Sequence, residues 1–161
     1  MVLRKKRMVI ITIVVIVLLL CGFYYQVNRF KLAPSLYEAA EAVQGVTVQA
    51  EADPANNRIS YVLENHTAQA FDYDNLPAGE YHDGQAWQEV LTKRGNRRFD
   101  GGRTTEGHSL APAGEARDTV RGDVDLASWP RLKDGTYRLV FLAAGQENAV
   151  VCSEPFVWRA A

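Results

Sequence analysis

Residues 107–111, Gly-His-Ser-Leu-Ala, approach the G-x-S-x-G pattern that exposes a nucleophilic serine at a sharp turn. That turn needs an apolar strand before the serine and a helix after it. Here a polar, glycine-containing stretch precedes Ser109, and Pro112 and Gly114 follow it. The local sequence therefore argues against a nucleophilic serine.

Metal-binding side chains are also present without the spacing that a metal site requires. The three histidines, His66, His82 and His108, each lie in or beside a predicted turn. None has a second ligand at the spacing typical of zinc sites. The aspartates at 72, 74 and 83 could converge on a cation, but they do not follow the pattern of a calcium loop. We expect no catalytic residues, no metal and no cofactor.

One group of charged residues is more concentrated than the rest. Five cations lie between positions 93 and 103, namely Lys93, Arg94, Arg97, Arg98 and Arg103. Glycines and Phe99 separate them, which predicts a positive loop. Such a loop could bind an anionic wall polymer, lipid head groups or an acidic partner. The alternative is a solvated hairpin loop without a partner.

The amino-terminal residues predict where the protein resides. Arg4, Lys5, Lys6 and Arg7 precede an uncharged apolar run over residues 8–25. Eighteen helical residues span about 27 Å, just enough to cross the hydrocarbon core of a bilayer. The preceding cations predict a cytoplasmic tail over residues 1–7, a transmembrane anchor over 8–25 and an extracytoplasmic remainder.

Two other interpretations of this run stay open. A cleaved signal peptide has a similar beginning, but the end of the run lacks an A-x-A cleavage site. Residues 18–21, Leu-Leu-Leu-Cys, resemble a bacterial lipobox, in which Cys21 would be lipidated. That motif normally has a small residue at the position of Leu20.

Composition limits the class of the exported part. Fourteen Lys and Arg against nineteen Asp and Glu follow residue 25, so this part carries about five net negative charges. Such a balance does not favour nucleic-acid binding. Residues 45–161 suit one small domain. Cys152 has no partner cysteine there and is expected to be a buried apolar residue.

Between anchor and domain, residues 26–44 predict a juxtamembrane stalk with a short helix. Ser35 and Glu38 form a capping-box pattern directly after Pro34, and Leu36, Ala40 and Val43 recur at helical spacing. The alternative is a frayed spacer.

From residue 45 onward the apolar period changes to two. Residues 46–52 and 58–64 alternate around an Asn56-Asn57 turn, and six further candidate strands follow at 70–73, 79–82, 86–91, 116–120, 137–142 and 149–158. Seven or eight short strands favour a β-sandwich. Residues 45–161 are expected to fold alone, with Trp87, Trp129 and Trp158 in the core.

Four short motifs resemble a known family. They are Glu-Asn-His-Thr at 64–67, Glu-Tyr-His-Asp-Gly-Gln-Ala-Trp at 80–87, Leu-Ala-Pro-Ala-Gly-Glu at 110–115 and Leu-Lys-Asp-Gly-Thr-Tyr-Arg-Leu-Val at 132–140. In this order they resemble the bacterial immunoglobulin-like domains of membrane-anchored and lipoprotein surface proteins. The resemblance implies an all-β, immunoglobulin-like antiparallel β-sandwich and brings no catalytic residues. The usual immunoglobulin disulfide is absent.

Tyr137, at the start of a strong strand, is placed for a tyrosine corner, although an ordinary inward tyrosine is the alternative. The sequence as a whole predicts an extracytoplasmic binding or scaffolding module of a bacterial cell envelope. Its partner would be an envelope protein or an anionic polymer. The alternative function is a small-ligand or ion sensor, or an inhibitor subunit of an envelope enzyme.

Overall fold

The computed structural model describes residues 2–74, 76–93, 108–146 and 149–160. Within them a single α-helix, α1 (Val2–Asn28), precedes twelve β-strands and two short 3-10 helices. The strands are β1 (Leu32–Pro34), β2 (Glu41–Ala42), β3 (Val46–Asp53), β4 (Arg58–Asn65), β5 (Phe71–Tyr73), β6 (Ala78–His82), β7 (Trp87–Val90), β8 (His108–Leu110), β9 (Thr119–Asp125), β10 (Gly135–Leu142), β11 (Ala149–Cys152) and β12 (Phe156–Trp158). The 3-10 helices are Pro54–Asn56 and Leu126–Ser128.

The strands form two main sheets. Sheet A has the order β1-β7-β6-β10-β11-β2, and β12 also pairs with β10; sheet B has the order β3-β4-β9. Strands β5 and β8 form a separate pair. Pairing is antiparallel except between β11 and β2. The prediction of a mainly antiparallel β domain is therefore confirmed.

The hairpin predicted around Asn56 and Asn57 is present. Strands β3 and β4 pair along their whole length, from Val46 opposite Asn65 to Asp53 opposite Arg58. Asn57 adopts the left-handed conformation with a φ of 53°, which asparagine tolerates better than most residues. Period-two alternation and turn chemistry were sufficient to predict this unit.

The main core lies between the facing sides of the two sheets. Strand β10 contributes Tyr137, Leu139 and Phe141, which join Ile59 and Leu63 of β4 in one buried cluster. All five side chains are almost completely buried. Alternation along each strand directs these residues inward, because successive side chains point to opposite faces of a sheet.

Sheet A also buries apolar residues on its other, outer face. Val140 and Leu142 alternate with the inward residues of β10, and they form a second cluster with Ala78, Val150 and Tyr37. A strand that is buried on both faces reads as a continuous apolar run, as residues 139–143 do. Something must therefore cover this outer face.

The cover comes from the segment in which we expected a juxtamembrane helix. Helix α1 ends at Asn28, and the predicted stalk instead contributes β1 and β2 to opposite edges of sheet A. Residues 35–40, here called the strap, therefore cross the outer face from one edge to the other. The helix prediction for residues 26–44 was wrong, and the folded unit extends on the amino-terminal side of residue 45.

The strap forms in place of a helix because it buries Tyr37, whereas a helix would bury Leu36. A helix built on the Leu36, Ala40 and Val43 stripe would bury Leu36, yet Leu36 is 63% exposed. Tyr37 is 7% exposed and packs in the second cluster. The Ser35 hydroxyl accepts a hydrogen bond from the Tyr37 amide at 2.9 Å, so the capping residue closes a local turn and starts no helix.

We expect Tyr37→Ala to reduce the free energy of unfolding by about 3 kcal/mol, because it removes a buried ring from the strap. The neighbouring Leu36→Ala is the matched control and should change stability by about 0.5 kcal/mol or less, since Leu36 is exposed. Urea unfolding of the chain in mild detergent, followed by tryptophan fluorescence, measures both. Equal effects of the two substitutions would contradict the strap.

Tyr137 and Pro155 have local roles at the ends of strands. The Tyr137 hydroxyl donates to the Lys133 carbonyl at 2.9 Å and accepts from the Lys133 amide at 3.1 Å, which is the geometry of a tyrosine corner. Pro155, which cannot donate a backbone hydrogen bond to a sheet, lies between β11 and β12, so the predicted strand 149–158 is divided into two.

The prediction for the three tryptophans was correct for two of them. Trp129 and Trp158 are 3% and 4% exposed and lie in the main core. Trp87 is only partly buried and lies on the outer face of sheet A, beside His82. Alternation identifies which residues share a face, but it does not say whether that face is the core. The expected core position of Trp87 was wrong.

Helix α1 differs from the rest of the molecule in what surrounds it. Its large apolar side chains from Ile11 to Tyr25 are about half to two-thirds exposed.

Within the described residues, no helix combines the length and apolar character needed to cross a membrane.

Candidate functional site

The predicted positive loop is described only at its start. Lys93 is half-buried, and its ammonium donates to the Ala127 carbonyl at 2.8 Å. The other four predicted residues, Arg94, Arg97, Arg98 and Arg103, lie outside the described residues. The contact to Ala127 places Lys93 against the 3-10 helix Leu126–Ser128.

The start of this loop lies beside the end of α1. The Leu91 amide donates to the Lys31 carbonyl at 3.0 Å, three residues after Asn28. Phe30 packs against the main core, with its ring 5.5 Å from Tyr81. The Lys133 ammonium lies 4.9 Å from the centre of the Phe30 ring. These contacts bring three distant parts of the chain together at the junction between helix and domain.

Cations predominate at this junction. Its segments, residues 29–33, 91–93, 126–134 and 158–160, are joined by the contacts just described and by a hydrogen bond from the Ala160 amide to Asp134. They contain six cations, which we call the cationic base: Arg29, Lys31, Lys93, Arg131, Lys133 and Arg159. The acids at or next to these segments are Asp134 and Asp125. The junction is therefore positive on a domain that is negative overall.

Local structure explains why two of these cations, Arg131 and Lys133, project from the domain. Leu132 and Trp129 are buried in the main core, which leaves the intervening Arg131 exposed. Both backbone polar groups of Lys133 bond to Tyr137, so the tyrosine corner fixes Lys133 while its side chain stays exposed. Sequence analysis missed this group because its members are separated by up to 130 residues; only the positive loop was visible as a run.

A second polar group lies on the outer face of sheet A. Glu80 and Glu89 are opposite each other on β6 and β7, and both side chains are fully buried. Arg138 is opposite Glu80 on β10, and its Nε and Nη2 atoms both lie 2.6 Å from Glu80 Oε2. The guanidinium also lies over the Trp87 ring at 4.4 Å.

This second group has the features of a structural ion pair. Only 17% of the Arg138 side chain is exposed, and Trp87 covers one face of its guanidinium. A buried carboxylate needs such a partner because the loss of hydration is costly. No signal in the sequence paired residues 80 and 138, which are 58 positions apart.

The remaining candidate residues have structural roles or lie apart. His66 contacts Thr47 at 3.1 Å, and the Nδ1 atom of His82 accepts from the Gly84 amide at 3.2 Å. Ser109 lies in the middle of β8, opposite Asp72. Among the described residues, no three acidic, histidine or cysteine side chains are grouped as a metal site would require.

Ser109 consequently lacks the strand-to-helix turn of a nucleophile elbow, since β8 pairs with β5. Cys152 packs beside the second cluster, and burial raises the pKa of its thiol. A raised pKa leaves little thiolate at neutral pH, so this cysteine is a poor nucleophile.

The outer face of sheet B forms an open hollow of about 610 Å³. Its polar lining includes Gln49, Glu51, Ser60, Arg121 and Asp123. The Ser60 hydroxyl donates to Asp123 at 2.7 Å, and Arg58 lies 3.7 Å from the same carboxylate. The hollow therefore carries both charges and is open to solvent.

Comparison with protein-family models gives no match, and comparison with curated proteins gives no significant match. Among solved structures, the X-ray structure of Northeast Structural Genomics Consortium target SoR45 aligns at 15% identity over 79% of this chain and 90% of that one, with a TM-score of 0.35. A similarity this low carries no argument about fold or function.

Proposed function

We propose that this chain is a membrane-anchored, extracytoplasmic binding or scaffolding module of a bacterial cell envelope, with an immunoglobulin-like β-sandwich and no catalytic activity. The observation that carries the proposal is the contrast between α1 and the domain. Apolar side chains of α1 are exposed over several turns, whereas those of the domain, apart from Leu36 and Val157, are mostly buried in two clusters. Exposed apolar surface of this extent is typical of a membrane or protein contact.

Lipid is the better match for α1. The exposed apolar side chains surround the helix, from Ile11 through Leu18 to Tyr25, and do not form one stripe. A helix that is apolar on all sides suits hydrocarbon, whereas a partner helix needs only one apolar face. The cations at positions 4–7 favour a cytoplasmic amino terminus.

Three features support the immunoglobulin-like sandwich. Sheets A and B face each other across one core, their internal pairing is mainly antiparallel, and Tyr137 forms a tyrosine corner. This corner is a recurrent feature of such sandwiches, where it fixes a connection to the following strand.

A binding role is supported by the difference between the two outer faces. The strap covers the outer face of sheet A, whereas the described residues leave the polar hollow on sheet B open. Charges on such an exposed surface can steer a complementary partner and fix its orientation.

Alkaline carbonate extraction of cell membranes tests the anchor. We expect the wild-type chain to stay in the membrane pellet with an intact amino terminus. The double variant Val14→Arg, Leu18→Arg should move to the soluble fraction, because an arginine at the centre of a membrane helix costs about 2.5–3.5 kcal/mol.

Leu36→Arg, Val157→Arg is the matched control, since both residues are exposed apolar side chains of the domain. This variant should remain in the pellet. Extraction of the wild type by carbonate, or loss of residues 1–25, would contradict the anchor.

Photocrosslinking in cells tests the binding role. A benzophenone side chain at Glu51, on the open hollow, should yield a discrete adduct with an envelope protein or polymer. The same probe at the exposed Leu36 is the control and should not give that adduct. Identical products from the two positions would reject a specific binding face on sheet B.

A further inference from the structure

We infer that the cationic base docks the domain onto anionic lipid head groups next to its own anchor. This inference rests on the proposed membrane anchor and adds a partner for the described cations. The positive loop alone left a wall polymer, a lipid and an acidic protein as alternatives. The contacts at the junction favour the lipid.

The connection between α1 and β1 is short. Only residues 29–31 separate the last residue of α1 from the first residue of β1. Four Cα–Cα steps of about 3.8 Å join Asn28 to Leu32, so they span at most about 15 Å. With residues 8–25 in the hydrocarbon core, the last three residues of α1 add about 4.5 Å, so β1 must begin within about 20 Å of the edge of that core. The 19-residue stalk expected from the sequence would not have imposed this proximity.

Several cations of the base lie in this connection or beside it. Arg29 and Lys31 belong to it, and Lys133 contacts Phe30 within it. Lys93 follows the Leu91 amide, which donates to the Lys31 carbonyl. The part of the domain that must lie nearest the membrane is therefore the positive part.

Outside the cationic base, the described part of the domain is mainly negative. Of the described residues after residue 25, the cationic base holds six of the ten Lys and Arg, and only two of the sixteen Asp and Glu lie with it. Four described cations and fourteen described acids lie elsewhere in this part of the chain. An anionic surface attracts the base and repels the rest, so it favours one orientation of the domain.

The full chain in lipid nanodiscs provides the test. Nanodiscs of phosphatidylcholine, with or without phosphatidylglycerol, carry a dansyl head-group acceptor for energy transfer from the three tryptophans. We expect more transfer in the anionic discs and a decrease towards the neutral value at high salt, because screening shortens the range of the attraction.

Two variants with equal changes in charge separate the base from general electrostatics. Arg29→Gln, Arg131→Gln, Lys133→Gln removes three exposed cations of the base. It should lower the ratio of docked to undocked domains on the order of 100-fold and abolish the effect of phosphatidylglycerol. The control, Arg58→Gln, Arg117→Gln, Arg121→Gln, removes three exposed cations elsewhere and should keep the wild-type response.

Equal transfer in neutral and anionic discs, or equal responses of the two variants, would overturn the inference while leaving the anchor intact. Failure of the chain to float with the discs would overturn the anchor and the inference together. If the base instead binds a soluble wall polymer or an acidic protein, phosphatidylglycerol will have no effect on transfer, which also overturns the lipid assignment.

Discussion

A fragment of residues 29–161 should unfold cooperatively in urea, whereas a fragment of residues 45–161 should lack a cooperative transition at room temperature. The shorter fragment begins where the sequence pattern alone places the domain boundary. It lacks β1, β2 and the strap, and with them Tyr37 and the edge pairing of β7 and β11. Its outer sheet face would be open to water.

The size of the effect follows from what that face contains. Val140, Leu142 and Val150 lose their apolar cover, and the contacts of Tyr37 disappear with the strap. Burying one aliphatic or aromatic side chain contributes about 1.5–3 kcal/mol. Loss of several such contacts approaches the whole stability of a small domain, about 5–15 kcal/mol.

Circular dichroism and urea unfolding of both fragments measure this difference. The longer fragment carrying Tyr37→Ala is the intermediate control and should unfold cooperatively at a lower urea concentration. Equal midpoints for the two fragments would show that the strap contributes nothing and that the domain begins at residue 45.

The second large effect is expected at the buried ion pair. Arg138→Ala should lower the free energy of unfolding by about 3–5 kcal/mol, because it leaves the Glu80 carboxylate buried without its cation. Glu89, opposite Glu80 on β7, adds a second buried carboxyl group on the same face. Loss of the contact with the Trp87 ring contributes further.

Arg58→Ala is the matched control, since it breaks an ion pair with Asp123 in which both side chains are about half exposed. An exposed pair contributes about 1 kcal/mol or less. Chemical denaturation of the 29–161 fragment compares the two variants. Similar losses for both would indicate that water reaches Glu80 and that the pair is not buried in solution.

The sequence predicted local structure correctly where a single physical effect determined it. Period-two alternation and the turn residues predicted the β3–β4 hairpin, and a tyrosine corner was one of the two alternatives for Tyr137. It was uninformative where two rules competed. Ser35 and Glu38 match a helix start, but burial of Tyr37 against sheet A gains more than a short, isolated helix.

The candidate site was less predictable than the fold because it depends on tertiary contacts. Phe30 and Lys133 are far apart in sequence, and the Lys133 ammonium lies over the Phe30 ring only because Phe30 packs beside Tyr81. Arg138 and Glu80 meet through the register of β10 and β6. A linear charge pattern detects a run such as residues 93–103, but it cannot detect charges that strand register brings together.

The most direct test of the account is the side of the membrane on which the domain lies. Glu115→Cys, an exposed position, is introduced together with Cys21→Ser and Cys152→Ala, and intact cells are treated with a membrane-impermeant maleimide. Arg4→Cys in the same background is the cytoplasmic control. We expect labelling of position 115 in intact cells and of position 4 only after permeabilisation. Labelling of position 115 only after permeabilisation would contradict it.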